Sequence, residues 1–367
     1  MSRDGVTRPH GSSPTRVALA LGSGGARGYA HIGVIEVLRE RGYDIVGISG
    51  SSMGAVVGGL QAAGRLDEFA DWAKSLTQRT ILRLLDPSIS AAGVLRAGKI
   101  LDAVRDILGP VTIEELPIPY TAVATDLLTG KSVWFQHGPL DEAIRASIAI
   151  PGVITPHEVG GRLLADGGIL DPVPMAPLSA VNADLTIAVS LNGTEVIDNR
   201  EAEPGVTVEW LNRMLRSTSA LLDRPTARAV LSRFGADGEN AEDGDEPEDD
   251  ADEAPKAEAG EAAEAGEAAA AAEAAEVSLE IPPEVPRKLG SFEVMNRTID
   301  IAQSALARHT LAAYPPDLLI EVPRSTCRSL EFHRAVEVID AGRALANQAL
   351  DALAMEADQS GPPAIGG

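Results

Sequence analysis

The chain has 367 residues, 44% of them hydrophobic, and a formal net charge of −23. An acidic chain without a long basic run excludes a nucleic-acid partner, which needs Lys and Arg to displace counterions from phosphates. Its single cysteine, Cys327, excludes an internal disulfide framework and reads as a space-filling thiol.

The charge is unevenly placed. Residues 237–280 hold 18 acidic residues and one base, Lys256, a net −17 that leaves only −6 for the rest of the chain. No apolar stretch approaches the roughly 18 residues of a membrane span, and residues 1–16 lack the apolar centre of a signal peptide. The expectation is a cytoplasmic protein, with peripheral contact at the inner face of the membrane compatible with the sequence.

In chain order, residues 1–15 read as a flexible N-terminus. The apolar run 17–21 ends in a glycine cluster, and Ile32, Val34, Ile35 and Leu38 then adopt helical spacing, which predicts strand, turn, helix. The same unit follows at once: a strand over 44–49, a turn over 50–54 and a small-residue helix over 55–63. Two consecutive units of this kind predict parallel strands.

Residues 66–108 read as helices broken at Asp86-Pro87 and Gly93. Within them Ile81, Leu82, Leu84 and Leu85, beside Arg79 and Arg83, form the most apolar surface candidate. Two readings compete for it, a helix packed on the sheet and a lid or membrane-facing cap.

Further strands are predicted over 120–124, 132–135 and 184–190, with a helix over 140–147. Residues 196–236 read as a helical connection. The Glu, Ala, Asp and Gly of 237–285 form an acidic low-complexity insertion that buries too little apolar surface to offset ordering entropy, and it is expected to be disordered. Residues 286–357 read as a C-terminal extension, with helices over 292–311 and 333–355 flanking a strand over 317–322. A strand after the insertion means that the insertion interrupts one domain. Residues 358–367 read as a flexible tail. The fold class is α/β.

Two glycine-rich turns carry the chemistry. The first, GSGGARG at 22–28, lies between a strand and a helix, where glycines let backbone N–H groups converge on an anion and the helix N-terminus adds positive potential. A dinucleotide site needs Gly or Ala where Arg27 stands, and no Gly-Lys-Ser/Thr follows for a P-loop. An anion hole for a smaller group fits better. The second, GSSMG at 50–54, matches G-x-S-x-G between strand and helix, with Gly50 and Gly54 permitting a strained elbow that projects Ser52. The Ser52 amide and the helix dipole are expected to face an incoming carbonyl.

A serine nucleophile needs a base. Of the six histidines, His309 and His333 follow the serine at positions a Ser…Asp…His order would require, but both lie in helical stretches. Asp166, ahead of Gly167 and Gly168, is the stronger candidate, placed on an open turn.

These blocks together resemble the patatin-like phospholipase family: LALGSGGARGYAHIG at 19–33, GSSMG at 50–54, ASIAIPG at 146–152 and DGG at 166–168, in that order. The resemblance spans roughly residues 16–195, and 286–357 look like the extension of bacterial members. It implies a three-layer sandwich with a mostly parallel central sheet flanked by helices, and a Ser-Asp dyad without histidine, with Ser52 as nucleophile and Asp166 as general base. Gly24, Gly25 and Arg27 fall at the positions of the family's oxyanion hole. One departure is Ser23, where the family carries the first of three glycines. Asp126 and Asp171 read as turn residues.

The resemblance further implies hydrolysis of a phospholipid, lysophospholipid or other acyl ester, with no metal and no cofactor. The rival reading is a lipid- or partner-binding regulator on the same fold. The dyad requires a desolvated Asp166 with a raised pKa, because a carboxylate in water titrates near about 3.9 and is a weak base.

Overall fold

The computed structural model describes residues 13–84, 98–151, 153–193 and 291–359, all within one structural unit. The readings made for residues 1–12, for the apolar segment from Leu85 to Gly93, for the helical connection, for the acidic insertion and for the tail from residue 360 lie outside these residues.

The first strand, β1 (Arg16–Leu21), alternates large and small side chains. Successive side chains leave a strand on opposite faces, so Val17, Leu19 and Leu21 enter one apolar cluster while Ala18 and Ala20 enter another. The large face is covered by α1 (Ala30–Glu40), α2 (Met53–Ala62), α3 (Leu66–Ser75) and α6 (Leu140–Ser147). The alanine face admits closer layers, the segment carrying Val173, Met175 and Leu178 and the helix α7 (Ser291–Ala313) through Ala307. The result is a helix, sheet, helix sandwich.

Among the described residues the sheet has eight strands. β1 lies between β2 (Asp44–Ser51) and β7 (Leu185–Gly193), parallel to both, and β3 (Tyr120–Asp126) continues the parallel set beyond β2. β8 (Leu318–Pro323) adds to β7, again parallel. Three pairings are antiparallel: β4 (Lys131–Phe135) on β3, β6 (Arg162–Asp166) on β3, and β5 (His157–Val159) on β6, so that β4 and β6 run against the parallel set and β5 runs with it.

The way β3 is shared positions the site. Its residues 120–123 pair with β2, and residues 124–126 pair with β6. β4 spans both stretches, pairing residues 122–126, and therefore occupies the opposite edge. β6 thus fills the edge of β3 that β2 vacates when the chain turns away at Ser52. Ser51 stands opposite Val123 and Asp166 opposite Ala124, the next residue along. β5 and β6 were not among the predicted strands, and Asp166 closes a strand rather than sitting on an open turn.

After α3 the chain forms α4 (Gln78–Leu84) and α5 (Gly98–Leu108). Ile81, part of the apolar surface candidate, is buried in a second cluster with Leu76, Val153, Ile154 and Leu330. It serves as core.

The helix α8 (Ala335–Gln359) packs on α1 at glycine-permitted range. A Cβ on Gly33 would lie 2.1 Å from the Ile339 carbonyl oxygen, and one on Gly342 2.1 Å from that of Ala30. Arg343 then reaches Glu36 at 2.7 Å and Glu40 at 2.8 Å. The C-terminal segment therefore contributes a strand to the same sheet and a helix to the same layer as the N-terminal half.

Candidate active site

Ser52 sits between β2 and α2 at φ 55° and ψ −123°. It is the one non-glycine residue with positive φ among the described residues, a strained conformation that surrounding structure must impose. Both flanking glycines are sterically required. A Cβ on Gly50 would lie 2.4 Å from the Gly54 oxygen, and one on Gly54 2.1 Å from the Leu21 oxygen. The elbow is thus pressed onto the end of β1, beside the glycine loop.

The Ser52 amide departs from expectation. It donates to Ser147 Oγ at 2.9 Å, and that hydroxyl donates onward to the Val123 carbonyl at 2.6 Å. The amide of Ser52 is therefore spent on holding the elbow, and the next N–H along the chain is that of Met53, the first residue of α2. Ser147 was missed as a site residue, although its signal was present: a hydroxyl ending an amphipathic helix within the block 146–152.

Ser52 Oγ donates to Asp166 Oδ2 at 2.5 Å, and the Gly168 N–H donates to Oδ1 at 2.8 Å. The backbone of Asp166 is fixed too, its N–H donating to the Ala149 carbonyl and its own carbonyl accepting from Thr125 Oγ1, both at 2.9 Å. Ser52 and Asp166 are each 3% exposed. Burial pushes the Asp166 carboxyl up to about 6, against the two hydrogen bonds, which favour the charged form. Gly167 and Gly168 are needed for this approach, since a Cβ would lie 2.0 Å from the Val123 oxygen and 2.4 Å from Ser23 Oγ respectively.

The loop after Asp166 is fastened back onto the sheet. Ser49 Oγ donates to the Pro174 carbonyl at 2.5 Å, Ser51 Oγ to that of Asp171 at 2.6 Å, and the Ser23 N–H to that of Pro172 at 2.8 Å. Asp171 Oδ1 is buried without a partner among the described residues, and desolvation pushes that carboxyl up to about 6 as well. Asp126 caps the β3–β4 turn, its Oδ1 accepting the Leu128 N–H at 2.9 Å.

In the glycine loop, Ser23 takes no positive φ; that conformation falls on Gly25, at φ 58°. Serine is therefore accommodated at the departed position. Gly24 precedes the tight turn Gly25–Tyr29, and among the described residues no backbone carbonyl accepts from the N–H of Gly24 or Gly25. His31 Nε2 donates to the Gly22 carbonyl at 2.8 Å, and burial lowers its pKa to about 4, so the ring is neutral. Gly28 lies against Met53, where a Cβ would come within 2.2 Å of Cγ, which brings loop and elbow together.

The loop is also held from the C-terminal segment. The Ala26 N–H donates to the Ser329 carbonyl at 2.9 Å, and a Cβ on Gly25 would lie 2.3 Å from that oxygen. Ser23 Oγ donates to Gln303 Oε1 of α7 at 3.3 Å. The Arg27 guanidinium, 3% exposed, turns away from Ser52 toward the Cys327 carbonyl at 3.5 Å and Asp300 at 3.6 Å. Cys327 is buried, its thiol pushed up to about 12 by desolvation. Gln303 and Ser329 were not singled out in the sequence, though a glutamine on the inward face of α7 was a legible sign. His309 is exposed on α7 and His333 lies in the turn Phe332–Arg334; the partner of Ser52 Oγ is a carboxylate.

A parallel sheet whose strand end delivers a strained serine to a carboxylate at the end of an antiparallel neighbour defines a protein of the patatin type. Residues 19–179 match the family model Patatin-like phospholipase. The uncharacterized NTE family protein Rv1063c of Mycobacterium tuberculosis is 72% identical over 367 residues, 100% of each chain. The neuropathy target esterase sws of Drosophila melanogaster is 29% identical over 202 residues, 53% of this chain and 14% of that protein. The patatin-like phospholipase domain-containing protein ZK370.4 of Caenorhabditis elegans is 31% identical over 186 residues, 49% of this chain and 14% of that protein. The chain belongs to the patatin-like NTE family.

Proposed function

We propose that the chain is a serine hydrolase of lipid carboxylic esters, of phospholipase A or lysophospholipase type, working through an acyl-enzyme on Ser52 and Asp166. The observation that carries this reading is the short hydrogen bond from a strained Ser52 to a buried carboxyl poised at about 6. Family membership and the names of the esterase and phospholipase relatives favour a lipid ester.

Asp166 Oδ2 takes the proton as Ser52 Oγ attacks the ester carbonyl carbon. The oxyanion is met by the N–H groups of Gly24 and Gly25, on the loop that Arg27 anchors, and of Met53 at the start of α2, a form of preorganised stabilisation worth several kcal/mol in related chemistry. Collapse breaks the ester C–O bond, and the proton on Asp166 goes to the departing alcohol. Water then gives its proton to Asp166, attacks the acyl carbon, and Ser52 leaves with that proton restored. The half-buried side chains of Ile148 and Ile150 flank Ala149, whose carbonyl accepts from the Asp166 N–H, and suit an acyl chain.

The test is labelling with a fluorophosphonate, alongside turnover of p-nitrophenyl esters and lysophospholipids. The native protein is expected to label at Ser52, and Ser52→Ala and Asp166→Asn to lose activity by at least about a thousandfold. Undiminished turnover in Ser52→Ala would overturn the mechanism. Lipid binding without turnover of any ester would support the regulator reading instead.

A further inference from the structure

Among the described residues, helix α7 buries two side chains, Gln303 at 7% exposure and Ala307 at 3%. They stand one turn apart and so share a face. Ala307 belongs to the apolar cluster with Ala18 and Ala20 of β1, and Gln303 lies one turn further toward the carboxyl end of that strand, where the glycine loop begins. An amide is a costly occupant of such a face, because a buried polar group loses its water and recovers the loss only through hydrogen bonds. What Gln303 touches accounts for it.

The amide meets both halves of the candidate site. Its Oε1 accepts from Ser23 Oγ at 3.3 Å, and Ser23 is itself 1% exposed. Gly24 and Gly25 follow directly, with N–H groups that have no backbone acceptor among the described residues. On its other side, Nε2 lies against Gly168: a Cβ there would come within 2.9 Å of it and within 2.4 Å of Ser23 Oγ. The Gly168 N–H donates to Asp166 Oδ1 at 2.8 Å. The start of the glycine loop and the turn that fixes the carboxylate are thus packed against one side chain.

Those two halves come from distant strands. The loop leaves β1 and the turn leaves β6, with β2 and β3 between them in the sheet. One backbone hydrogen bond, from the Ser23 N–H to the Pro172 carbonyl at 2.8 Å, joins the loop to the segment after the turn, and the Ser23 hydroxyl with Gln303 adds a side-chain tie at the turn itself. An ester carbonyl has to lie within reach of both halves at once, and a misplacement of about 1 Å is enough to cost roughly a hundredfold in rate. The serine at position 23 gains a reason as well. A glycine there would leave Gln303 Oε1 buried with no donor among the described residues.

We infer that Gln303 is a positioning residue of the site: by accepting from Ser23 and packing on Gly168 it sets the spacing between the loop that meets the oxyanion and the turn that holds the base. This assignment rests on the hydrolase reading of Ser52 and Asp166. It makes Ser23 and Gln303 a functional pair, one supplying the hydroxyl and the other its acceptor, and it gives the C-terminal segment a share in the geometry of catalysis.

The test is a mutant cycle on the full chain: native, Ser23→Ala, Gln303→Met and the two together. Each is read for kcat and KM on a p-nitrophenyl ester, for the rate of fluorophosphonate labelling at Ser52 and for melting midpoint. Gln303→Met keeps the length of the side chain and removes the amide. It is expected to lower kcat and the labelling rate by roughly ten- to a hundredfold while KM stays within about twofold, the split that marks an interaction felt in the transition state. Ser23→Ala should give the same loss and the double variant no further loss, because either change alone breaks the shared contact. An unchanged kcat in Gln303→Met beside a lowered melting midpoint makes the amide a packing residue and overturns the assignment, as do losses that multiply in the double variant. Should Gln303→Met fold poorly, Ser23→Ala, which deletes one oxygen atom, carries the same requirement. A native chain that neither labels nor turns over an ester strikes the hydrolase reading and this assignment with it, whereas an active native chain with every variant its equal strikes this assignment alone.

Discussion

At Asp166 two opposing effects can be read from its immediate neighbours. Donation from Ser52 and Gly168 favours the carboxylate, yet burial is the larger effect and sets the carboxyl at about 6. Since the charged form is the base, kcat/KM on a soluble ester should fall about tenfold per pH unit below about 6. Asp171 titrates in the same range but is not the partner of Ser52 Oγ, so Asp171→Asn should leave that limb in place. A limb that vanished in Asp171→Asn would reassign it. The sign for stability is the reverse of a salt-bridged carboxylate. Between the unfolded value of about 3.9 and about 6 the native state holds more protons than the unfolded chain, so stability falls as pH rises through that window and levels off above it. Asp166→Asn should flatten this slope, seen as the difference between urea unfolding at pH 5 and at pH 7, by about 1–1.5 kcal/mol.

Among the elements, the α1–α8 contact is the most exacting. Ala30 and Ile339 carbonyls approach Gly342 and Gly33 so closely that no side chain fits. Gly342→Ala should lower stability by about 1–3 kcal/mol through overpacking, measured by urea unfolding. Arg343→Ala, which removes only partly exposed ion pairs, should cost less than about 1 kcal/mol. Element by element, the parallel strands and their helices were legible because their apolar runs and glycine turns are local signals. β5 and β6 were not, since three to five residues pairing across a β3 edge left open by another strand leave no periodic trace. For the same reason Ser52 was legible from its flanking glycines and Asp166 from its motif, but not the strand end that presents it. Ser147, Gln303 and Ser329 act through positions fixed only by tertiary packing.

For the molecule as a whole, the charge of −23 concentrates in residues 237–280. Deleting residues 237–280 would bring the net charge to −6, and soluble-ester turnover should persist. Binding to anionic vesicles should strengthen, since like-charge repulsion is relieved. Loss of folding, seen by circular dichroism, would show that the segment contributes to the core.

The hold of Gln303, Cys327 and Ser329 on the glycine loop has a consequence during synthesis. Ser52 leaves the ribosome about 280 residues ahead of Ser329, an interval of roughly 14–55 s at bacterial and eukaryotic elongation speeds. Throughout that time Ala26 has no carbonyl to donate to and Arg27 no acid to face. On the proposed mechanism a nascent chain therefore carries Ser52 without a finished anion hole, and ester cleavage would have to wait until translation has passed the last of the three.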